Sequence, residues 1–552
     1  MGHKDRKIKH SGPSSIFRKT NPLMTVNPLP FDQIPFFSAR DRAYTLRDPA
    51  LSPYFKYPAD LKAFGQVMLD KSREEIPREL LVRVVEEQYA GLERSEQTDR
   101  HIKALLSPDT FTVTTAHQPV LFTGPLFFIY KIVSTINLAK KLREAYPGKE
   151  FVPVMISGGE DHDFEEVNHA NLFGRRLVWE TRSGGSVGRM SAQELIPVLD
   201  QLHGLLGDSE RAREFWALLK TAFTGHESYG EGMQYFVNSL FKDQGLLVLN
   251  MDHVELKRHF IPFMRRELLE QASQGLVEQT QAELEALGFP AQAYARPINL
   301  FYLLENARER IVREGDFFEV VNTDLRFSEE EMMTELEAHP DRFSPNVVMR
   351  PLYQESMLPN LAYIGGGGEI AYWLERKKQF EYFGLNFPVL VRRNSVLWID
   401  SNSARRMEKL EVGLDELMVD AEELVKSWVH ARSDMELSLA GERNILTKMF
   451  EDISERARGI DPTLVGAVLA EGAKQGKMLE QLEIRLLRAQ KQRFETELGQ
   501  LRALKDKLFP GNGLQERFDN FIPYHLKHGP FFFEFLLEHL DPLETSFVVI
   551  RE

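Results

Sequence analysis

The chain has 552 residues, 43% hydrophobic and 27% charged, and its 68 basic and 82 acidic residues give a net charge of −14. The composition is typical of a globular protein and excludes a disordered chain. The length corresponds to about three domains. The acidic surplus argues against non-specific nucleic-acid binding. The chain has no cysteine, which excludes disulfides, thiolate nucleophiles and cysteine-ligated metals.

The amino-terminal residues 1–15 are basic and polar and lack the apolar core of a signal peptide. No apolar run approaches the roughly 18–20 residues of a membrane-spanning helix. We therefore expect a soluble cytoplasmic protein with neither a membrane nor a nucleic acid as partner.

Residues 111–171 predict a βαβ unit that follows a mostly helical and irregular region. A short strand over Phe111–Thr115 leads into a polar loop, 114–124, and then a helix over Leu126–Tyr146. Phe151–Ile156 reads as a second strand, and Gly158-Gly159 ends it before a helix that starts within 161–171.

Further strand candidates are Gly245–Met251 and Phe387–Arg392, with helical patterns between them. The order predicts an α/β fold, a Rossmann-like doubly wound parallel sheet core with inserted segments. Such sheets bind ligands beyond the carboxyl ends of their strands.

Residues 404–510 predict a separate α-helical antiparallel coiled coil. Apolar residues from Met407 to Ala431 alternate steps of three and four, and a second helix with an apolar seam runs from Leu479 to Leu508 and breaks at Arg493. The turn region includes Gly459 and Pro462. The predicted domains are therefore residues 1–403, 404–510 and an aromatic segment, 511–552, that packs back on the core.

The first candidate motif lies between the first strand and its helix and contains His117, Gln118, Thr123 and Gly124. Side-chain donors and the free N–H groups of a helix start suit a phosphate or carboxylate. A turn shaped by proline and glycine, with His117 bonded to a carbonyl, explains the residues equally well.

The second candidate motif follows the next strand and crowds acids and histidines into ten positions. Carboxylates beside histidine can move protons or hold a divalent metal. An acidic helix start would explain part of the pattern, and on a helix His162 and His169 would share a face. The residues singled out are Gly159, Glu160, Asp161, His162, Asp163, Asn168 and His169.

The third candidate motif is a run of four glycines with acidic and aromatic neighbours. Gly365, Gly366 and Gly367 permit close backbone approach to a ligand, and Glu369, Tyr372 and Trp373 are expected at the mouth of the loop. Arg350 and Arg393 could clamp a carboxylate or phosphate, or pair with surface acids. A flexible turn is the alternative.

At these motifs the chain resembles the bacillithiol-biosynthesis cysteine-adding family, BshC. The resemblance rests on TTAHQPVLFTGPLFFIYK, GGEDHDFEEVNH, FSPNVVMRPLYQE, LPNLAYIGGGGEIAYW and the closing LQERFDNFIPYHLKHGPFF, and it extends from about His117 to the end of the chain. It implies an enzyme that joins L-cysteine to glucosaminyl-malate through an amide bond. It also implies a Rossmann-like core and a coiled coil that mediates homodimerisation.

The same resemblance implies a core similar in plan to class I aminoacyl-tRNA synthetases, with His117 where those enzymes carry a phosphate-binding histidine signature. The chain departs from that pattern, since it has no second histidine at the expected spacing and no KMSKS-like loop. The residues leave open whether ATP with Mg²⁺ is the activator.

The predicted roles follow from the needs of an amide ligase. His117, Gln118, Thr123 and backbone N–H groups would stabilise phosphate charge, and Asp161, His162 or Asp163 would be the base. Glu369 and the arginines would orient the amine and the malate carboxylates. The alternatives are a metal-dependent hydrolase or deacetylase built on Asp161, His162, Asp163 and His169, and a non-catalytic coiled-coil scaffold.

Overall fold

A five-stranded parallel sheet lies at the centre of the fold. The computed structural model describes residues 24–433 and 438–552, so the basic amino-terminal segment lies outside the described residues. The strands of the described chain are β1 (Thr25–Pro30), β2 (Thr110–His117), β3 (Glu150–Ser157), β4 (His169–Leu172), β5 (Arg175–Val178), β6 (Leu247–Asn250), β7 (Leu300–Leu303), β8 (Arg308–Glu314), β9 (Phe317–Val320), β10 (Arg326–Ser328), β11 (Phe343–Pro345), β12 (Asn360–Gly365), β13 (Val389–Arg392), β14 (Ser395–Ile399) and β15 (Ser546–Arg551).

The central sheet has the order β13-β12-β2-β3-β6, and all its strands are parallel. The chain first builds outward from β2 through β3 to β6 and then returns to the other side of β2 with β12 and β13. The order therefore reverses between β2 and β12, as in a doubly wound sheet. The predicted α/β Rossmann-like core is confirmed.

Helices surround this sheet and extend beyond it. They are α1 (Ala39–Thr45), α2 (Ala63–Lys71), α3 (Arg78–Gln88), α4 (Glu96–Ala104), α5 (Phe127–Ala145), α6 (Phe164–Val167), α7 (Ile196–Leu206), α8 (Glu210–Thr224), α9 (Tyr229–Phe241), α10 (Val254–Glu270), α11 (Ala272–Ala286), α12 (Glu329–Ala338), α13 (Arg350–Met357), α14 (Gly367–Leu374), α15 (Lys377–Phe383), α16 (Ser401–Leu410), α17 (Leu414–Leu417), α18 (Ala421–Ala431), α19 (Ala440–Ile460), α20 (Leu464–Arg493), α21 (Glu495–Leu508), α22 (Ile522–His528) and α23 (Phe531–His539). Within the described residues, no helix combines the length and apolarity needed to cross a bilayer.

Both faces of the central sheet are covered by apolar side chains. In β3, Val152, Val154 and Ile156 join the cluster that contains residues of α3 and α10. Met155 joins the cluster on the side of α5. This burial on both faces explains why β3 reads as a continuous apolar run in the sequence.

Two segments differ from the predictions for the βαβ unit. Strand β2 continues to His117, because its backbone pairs with β3 along the whole predicted start of the loop. The helix expected within 161–171 is only the single turn α6, and His169 begins β4, which pairs with β5. His162 and His169 therefore do not share a helix face.

Besides the central sheet and the β4–β5 pair, the described residues form a second five-stranded sheet and a three-stranded sheet. The inserted antiparallel sheet has the order β10-β9-β8-β7-β11. The carboxyl-terminal strand β15 lies between β1, which is antiparallel to it, and β14, which is parallel to it. Residues close to both ends of the described chain thus form one sheet with the segment that follows β13.

The predicted antiparallel helical hairpin is present, but its first helix is α19. Arg443 forms ion pairs with Glu480 and Glu483, and the Cα of Gly472 leaves room for the ring of Phe450, which gives the antiparallel register of α19 and α20. The predicted break at Arg493 is confirmed as the end of α20.

The apolar seam from Met407 to Ala431 is not a continuous coiled-coil helix. Glu411 adopts a left-handed backbone with φ of 47°, and Gly413 and Asp420 cap new helices, so the seam is divided among α16, α17 and α18. Its side chains pack with Phe31, Leu397 and residues of α21 and β15. A heptad spacing here reflects packing on the core.

A buried carboxyl lies at the amino end of β12. Glu355 is fully buried, 3.8 Å from Lys71 Nζ, and its Oε1 accepts from Asn360 Nδ2 at 2.6 Å and Gln354 Nε2 at 2.8 Å. Burial raises the pKa of Glu355 to about 7, against the opposing effect of Lys71 and these hydrogen bonds.

This raised pKa predicts a stability change near neutral pH. A carboxyl with a raised folded-state pKa stabilises the fold below its unfolded pKa of about 4.3, and this contribution is lost as the pH rises through about 7. The free energy of unfolding of the wild type should therefore fall relative to that of Glu355→Gln, by about 1–3 kcal/mol between pH 5 and pH 8. Urea unfolding at both values measures it. Glu79→Gln, at an exposed glutamate, is the control, and equal pH dependence in wild type and Glu355→Gln would contradict the prediction.

Candidate active site at the switch point of the sheet

The sheet brings the first and third sequence motifs together. β2 ends at His117 and its neighbour β12 ends at Gly365, with Ile364 opposite Thr115 in the register. This is the point at which the strand order reverses, where doubly wound sheets bind their ligands. We call the space beyond the ends of β2 and β12 the switch crevice.

An ion pair crosses the switch crevice from α5 to α14. Lys131 Nζ lies 2.8 Å from both carboxylate oxygens of Glu369 and also donates to the carbonyl of Ala116. Glu369 accepts further bonds from Tyr363 Oη at 2.7 Å and Gly366 N at 2.9 Å. The two helices that follow the two strands are therefore held together at their ends.

The charges of this pair shift both pKa values. Burial lowers the pKa of Lys131, while Glu369 opposes the shift. Burial would raise the pKa of Glu369, but Lys131, His117 and the Gly366 N–H lower it to about 2. The carboxylate of Glu369 is therefore filled by donors from the protein itself, and its role toward a substrate amine stays a prediction.

His117 lies beside this pair as a neutral imidazole. Its ring centroid is 5.3 Å from that of Phe127, and its Nδ1 donates to the carbonyl of Gln118 at 3.0 Å. Burial and the nearby Lys131 lower its pKa to about 4. With Nδ1 protonated, Nε2 is an acceptor, so His117 could donate to a phosphate only after taking up a proton.

Gln118 connects the first motif to the second. Its Nε2 donates to Asp161 Oδ2 at 2.6 Å. Asp161 Oδ1 lies 3.4 Å from Arg308 Nη1, and the same nitrogen lies 3.1 Å from His162 Nδ1. An arginine can only donate, so His162 accepts at Nδ1 and carries its proton at Nε2.

Asp161, His162 and Asp163 place potential ligand atoms within 4.8 Å of one another. The guanidinium of Arg308, whose side chain is only 7% exposed, lies against two of these residues and supplies the positive charge that a cation would bring. His169 is in β4, with its Nδ1 3.2 Å from Asn168 Oδ1. The hydrolase alternative therefore loses a ligand and is not favoured.

Several predicted residues support the loops rather than open onto the crevice. Glu160 pairs with Lys257 at 2.5 Å, and Lys257 also binds Asp252 at 2.8 Å. The peptide of Gly159 accepts from Gly188 N at 2.7 Å, and a side chain on Gly188 would clash with it. The buried Asn168 accepts from Trp179 N at its carbonyl.

The turn that contains Thr123 and Gly124 is closed by the carboxyl-terminal segment. Phe122, Thr123 and Gly124 all have positive φ, and Asn520 Nδ2 donates to the carbonyls of Phe122 and Gly124 at 2.8 and 2.7 Å. Thr123 is fully buried. The structure thus gives this turn a packing role, and ligand binding by Thr123 and Gly124 stays a prediction.

Two arginines flank the switch crevice. Arg350, half-buried on α13, lies 5.8 Å from the ring centroid of Tyr363, and Tyr363, Tyr372 and Glu369 raise its pKa although burial would lower it. Arg393 lies over Phe127 at 5.3 Å and pairs with the buried Glu516 at 2.9 Å.

The remaining residues of the glycine motif divide between the crevice and the core. Tyr372 is half-buried near Arg350, whereas Trp373 is fully buried against Tyr363 at 4.5 Å, so its predicted place at the mouth of the loop is wrong. Gly366 begins α14. A Cβ on Gly367 would clash with Asp41, so this glycine is required by packing.

A cavity of about 410 Å³ lies beside the end of β13, away from His117. Its walls come from the segment 44–59, from Arg392, Arg393 and Asn394, and from residues 542–546. Arg393 lines this cavity and also flanks the switch crevice. We place the candidate site in the crevice, because the strand ends and the paired charges converge there.

Sequence reasoning missed two central side chains. The sequence could have indicated Lys131, because it is the only charged residue in the largely apolar stretch 126–136. No sequence feature indicated Arg308, because it lies 147 positions from Asp161 and the inserted sheet brings the two together.

Comparisons with known proteins agree with this architecture. A family model described as the bacillithiol biosynthesis BshC amino-terminal Rossmann-like domain matches residues 24–394, and one described as the BshC carboxyl-terminal coiled-coil domain matches residues 396–552. Their junction falls between β13 and β14.

Curated relatives match over nearly their whole length. Proteins named "Putative cysteine ligase BshC" from Flavobacterium johnsoniae and Christiangramia forsetii are 40% and 38% identical, over 93% and 96% of this chain and 97% and 99% of theirs. A solved Campylobacter jejuni structure described as an arginyl-tRNA synthetase has 11% identity, 81% and 96% coverage and a TM-score of 0.20, too low to support an argument.

We predict that substitutions of Lys131 and Glu369 have non-additive effects on the free energy of unfolding. Lys131→Met leaves a carboxylate largely removed from water without its cation, and we expect a loss of about 3 kcal/mol in the free energy of unfolding. Glu369→Gln in the same chain should recover part of that loss, with a coupling energy of about 0.5–3 kcal/mol. Denaturant unfolding of the wild type, the two single variants and the double variant measures this coupling energy. Additive losses would contradict the pairing.

Proposed function

Because the chain belongs to the BshC family of bacillithiol biosynthesis, we propose that it is a cysteine ligase acting in the last step of that pathway. The carboxylate of L-cysteine and the amine of glucosaminyl-malate would form the amide bond. The observation that carries the proposal is the switch crevice, where cationic side chains surround one saturated carboxylate at the ligand-binding edge of the sheet.

The charges of the crevice suit a dicarboxylate substrate. Lys131 is neutralised by Glu369 and Arg393 by Glu516, whereas the polar partner of Arg350 on its own helix is the neutral Gln354, at 3.2 Å. Among these side chains, Arg350 is therefore the one positive charge that no carboxylate neutralises. A guanidinium binds a carboxylate through two parallel hydrogen bonds, so we assign Arg350 to a malate carboxylate.

Amide formation needs an acceptor for the amine proton. Asp161 and His162 are occupied by Gln118 and Arg308. His117 Nε2 and the 58% exposed carboxylate of Asp163 remain available, and His117 lies in the crevice. As the amine nitrogen bonds to the activated cysteine carbonyl, we propose that its proton passes to one of these two groups.

Activation of the cysteine carboxylate requires a leaving group. We propose ATP with Mg²⁺ as the source. Transfer of its phosphoryl or adenylyl group to the cysteine carboxylate would release ADP or pyrophosphate. The acyl C–O bond would then break as the amide C–N bond forms, releasing phosphate or AMP.

Cells that lack this gene provide the test. We expect bacillithiol to be absent and glucosaminyl-malate to accumulate, as measured by mass spectrometry of low-molecular-weight thiols and their precursors. Wild type should restore bacillithiol and His117→Ala should not, because the acceptor in the crevice is lost. His259→Ala, at an exposed histidine on α10, is the matched control and should restore it. Persistent bacillithiol in the deletion strain would contradict the ligase proposal, and full rescue by His117→Ala would remove this histidine from the site.

We also propose that a second copy of the chain covers the helical hairpin. Ile445, Met449 and Ile453 form a stripe at intervals of four on α19, with Ile445 72% exposed, and Leu482 and Leu486, also four apart, are exposed on α20. Exposed apolar rows of this length are typical of helical interfaces. The family model that describes this region as a coiled coil supports the same proposal.

Light scattering after size-exclusion chromatography tests the homodimer. We expect the mass of two chains for the wild type and of one chain for Ile445→Lys combined with Ile453→Lys, because two charges would be buried in the interface. Thr447→Lys, on another face of α19, should leave the dimer intact. A monomeric wild type, or a double variant that remains dimeric, would contradict this interface.

A further inference from the structure

Arg376 is a buried cation that the proposed reaction does not use. It lies between α14 and α15 and is 0% exposed. Its Nε, Nη1 and Nη2 have no hydrogen-bond partner in the part of the chain that the structure describes. Arginine carries five N–H donors and stays protonated in proteins, so this side chain brings an uncompensated charge into the interior.

The adjacent carboxylate of Glu375 favours the charged form of Arg376, but its oxygens are bonded to other donors. Glu375 accepts from Arg40 Nη1 at 3.0 Å, Gln281 Nε2 at 2.9 Å, and the backbone N–H groups of Gln292 and Ala293 at 2.8 and 3.3 Å. These four donors fill the roughly four lone-pair positions of a carboxylate. Arg40 and Glu375 cancel each other, and Arg376 remains as one surplus positive charge.

Arg376 does not lose its charge by releasing a proton. Burial lowers its pKa to about 10, so the guanidinium stays charged at neutral pH. A buried charge without a partner is strongly unfavourable. A second buried donor without an acceptor, Trp373 Nε1, is found three residues earlier. Both groups lack the same thing, an acceptor, and the guanidinium requires a negative one.

We propose that a small inorganic anion binds beside Arg376. Its charge follows from the surplus cation, and the unpartnered N–H groups of the guanidinium are the donors that would bind it. The bound anion stabilises the junction of α14 and α15, whose Glu375 network also holds α11 and the segment at Gln292 and Ala293. This site is independent of the ligase reaction.

Bromide and X-ray diffraction locate such an anion directly. Crystals of the full wild-type chain grown in sodium bromide should give an anomalous peak at the bromine edge within hydrogen-bond distance of the Arg376 guanidinium. Gln379 Oε1, also buried without a partner, is an acceptor and needs a donor such as water. Ordered water alone beside Arg376, without anomalous signal, would overturn the proposal.

Thermal unfolding gives an independent measurement. At constant ionic strength, replacement of gluconate by bromide should raise the unfolding midpoint of the wild type and of the control Arg258→Met, an exposed arginine on α10. Arg376→Met, which removes the charge and keeps an apolar chain, should lose this response. An equal bromide response in Arg376→Met would overturn the proposal. If that variant does not fold, the bromide diffraction experiment on the wild type decides.

Discussion

The ion pair between Lys131 and Glu369 holds together the part of the molecule on which the proposed chemistry depends. A doubly wound sheet diverges at its switch point, because the chain leaves β2 on one side and returns to it on the other. Lys131 on α5 and Glu369 on α14 connect the two sides, with 2.8 Å between Lys131 Nζ and the carboxylate. Lys131 also donates to the carbonyl of Ala116, and Glu369 accepts from Tyr363 and Gly366. His117 lies against the pair, so its protonation depends on the same charges.

Distant segments complete the edge of the sheet. Arg308 reaches the second motif from the inserted sheet, whereas Glu516 and Asn520 come from the carboxyl-terminal segment to hold Arg393 and the turn after β2. The site therefore combines a central scaffold with contacts from regions that are remote in sequence. Loops held in this way keep their polar groups in fixed orientations, which catalysis by positioned hydrogen bonds requires.

The sequence predicted four of the five central strands, all but β12, because buried parallel strands are continuous apolar runs bounded by glycine and proline. It also placed the loops that follow β2 and β3 at one edge, since the carboxyl ends of parallel strands share that edge. Glu369 reaches the same edge because it follows β12, which the sequence pattern did not predict as a strand. The sequence did not reveal Lys131 as a partner of Glu369, or Arg308 as a partner of His162, because such pairings arise only in the folded chain. The seam at 407–431 was wrongly assigned, because heptad spacing is equally compatible with short helices packed on a core.

The central claim is that the substrate binds in the switch crevice. A crystal structure of the protein with glucosaminyl-malate tests it most directly. The account predicts a malate carboxylate on the guanidinium of Arg350 and the sugar amine facing His117 Nε2. Glucosaminyl-malate bound instead in the cavity beside β13, or against Asp161 and Arg308 without contact to Arg350, would contradict it.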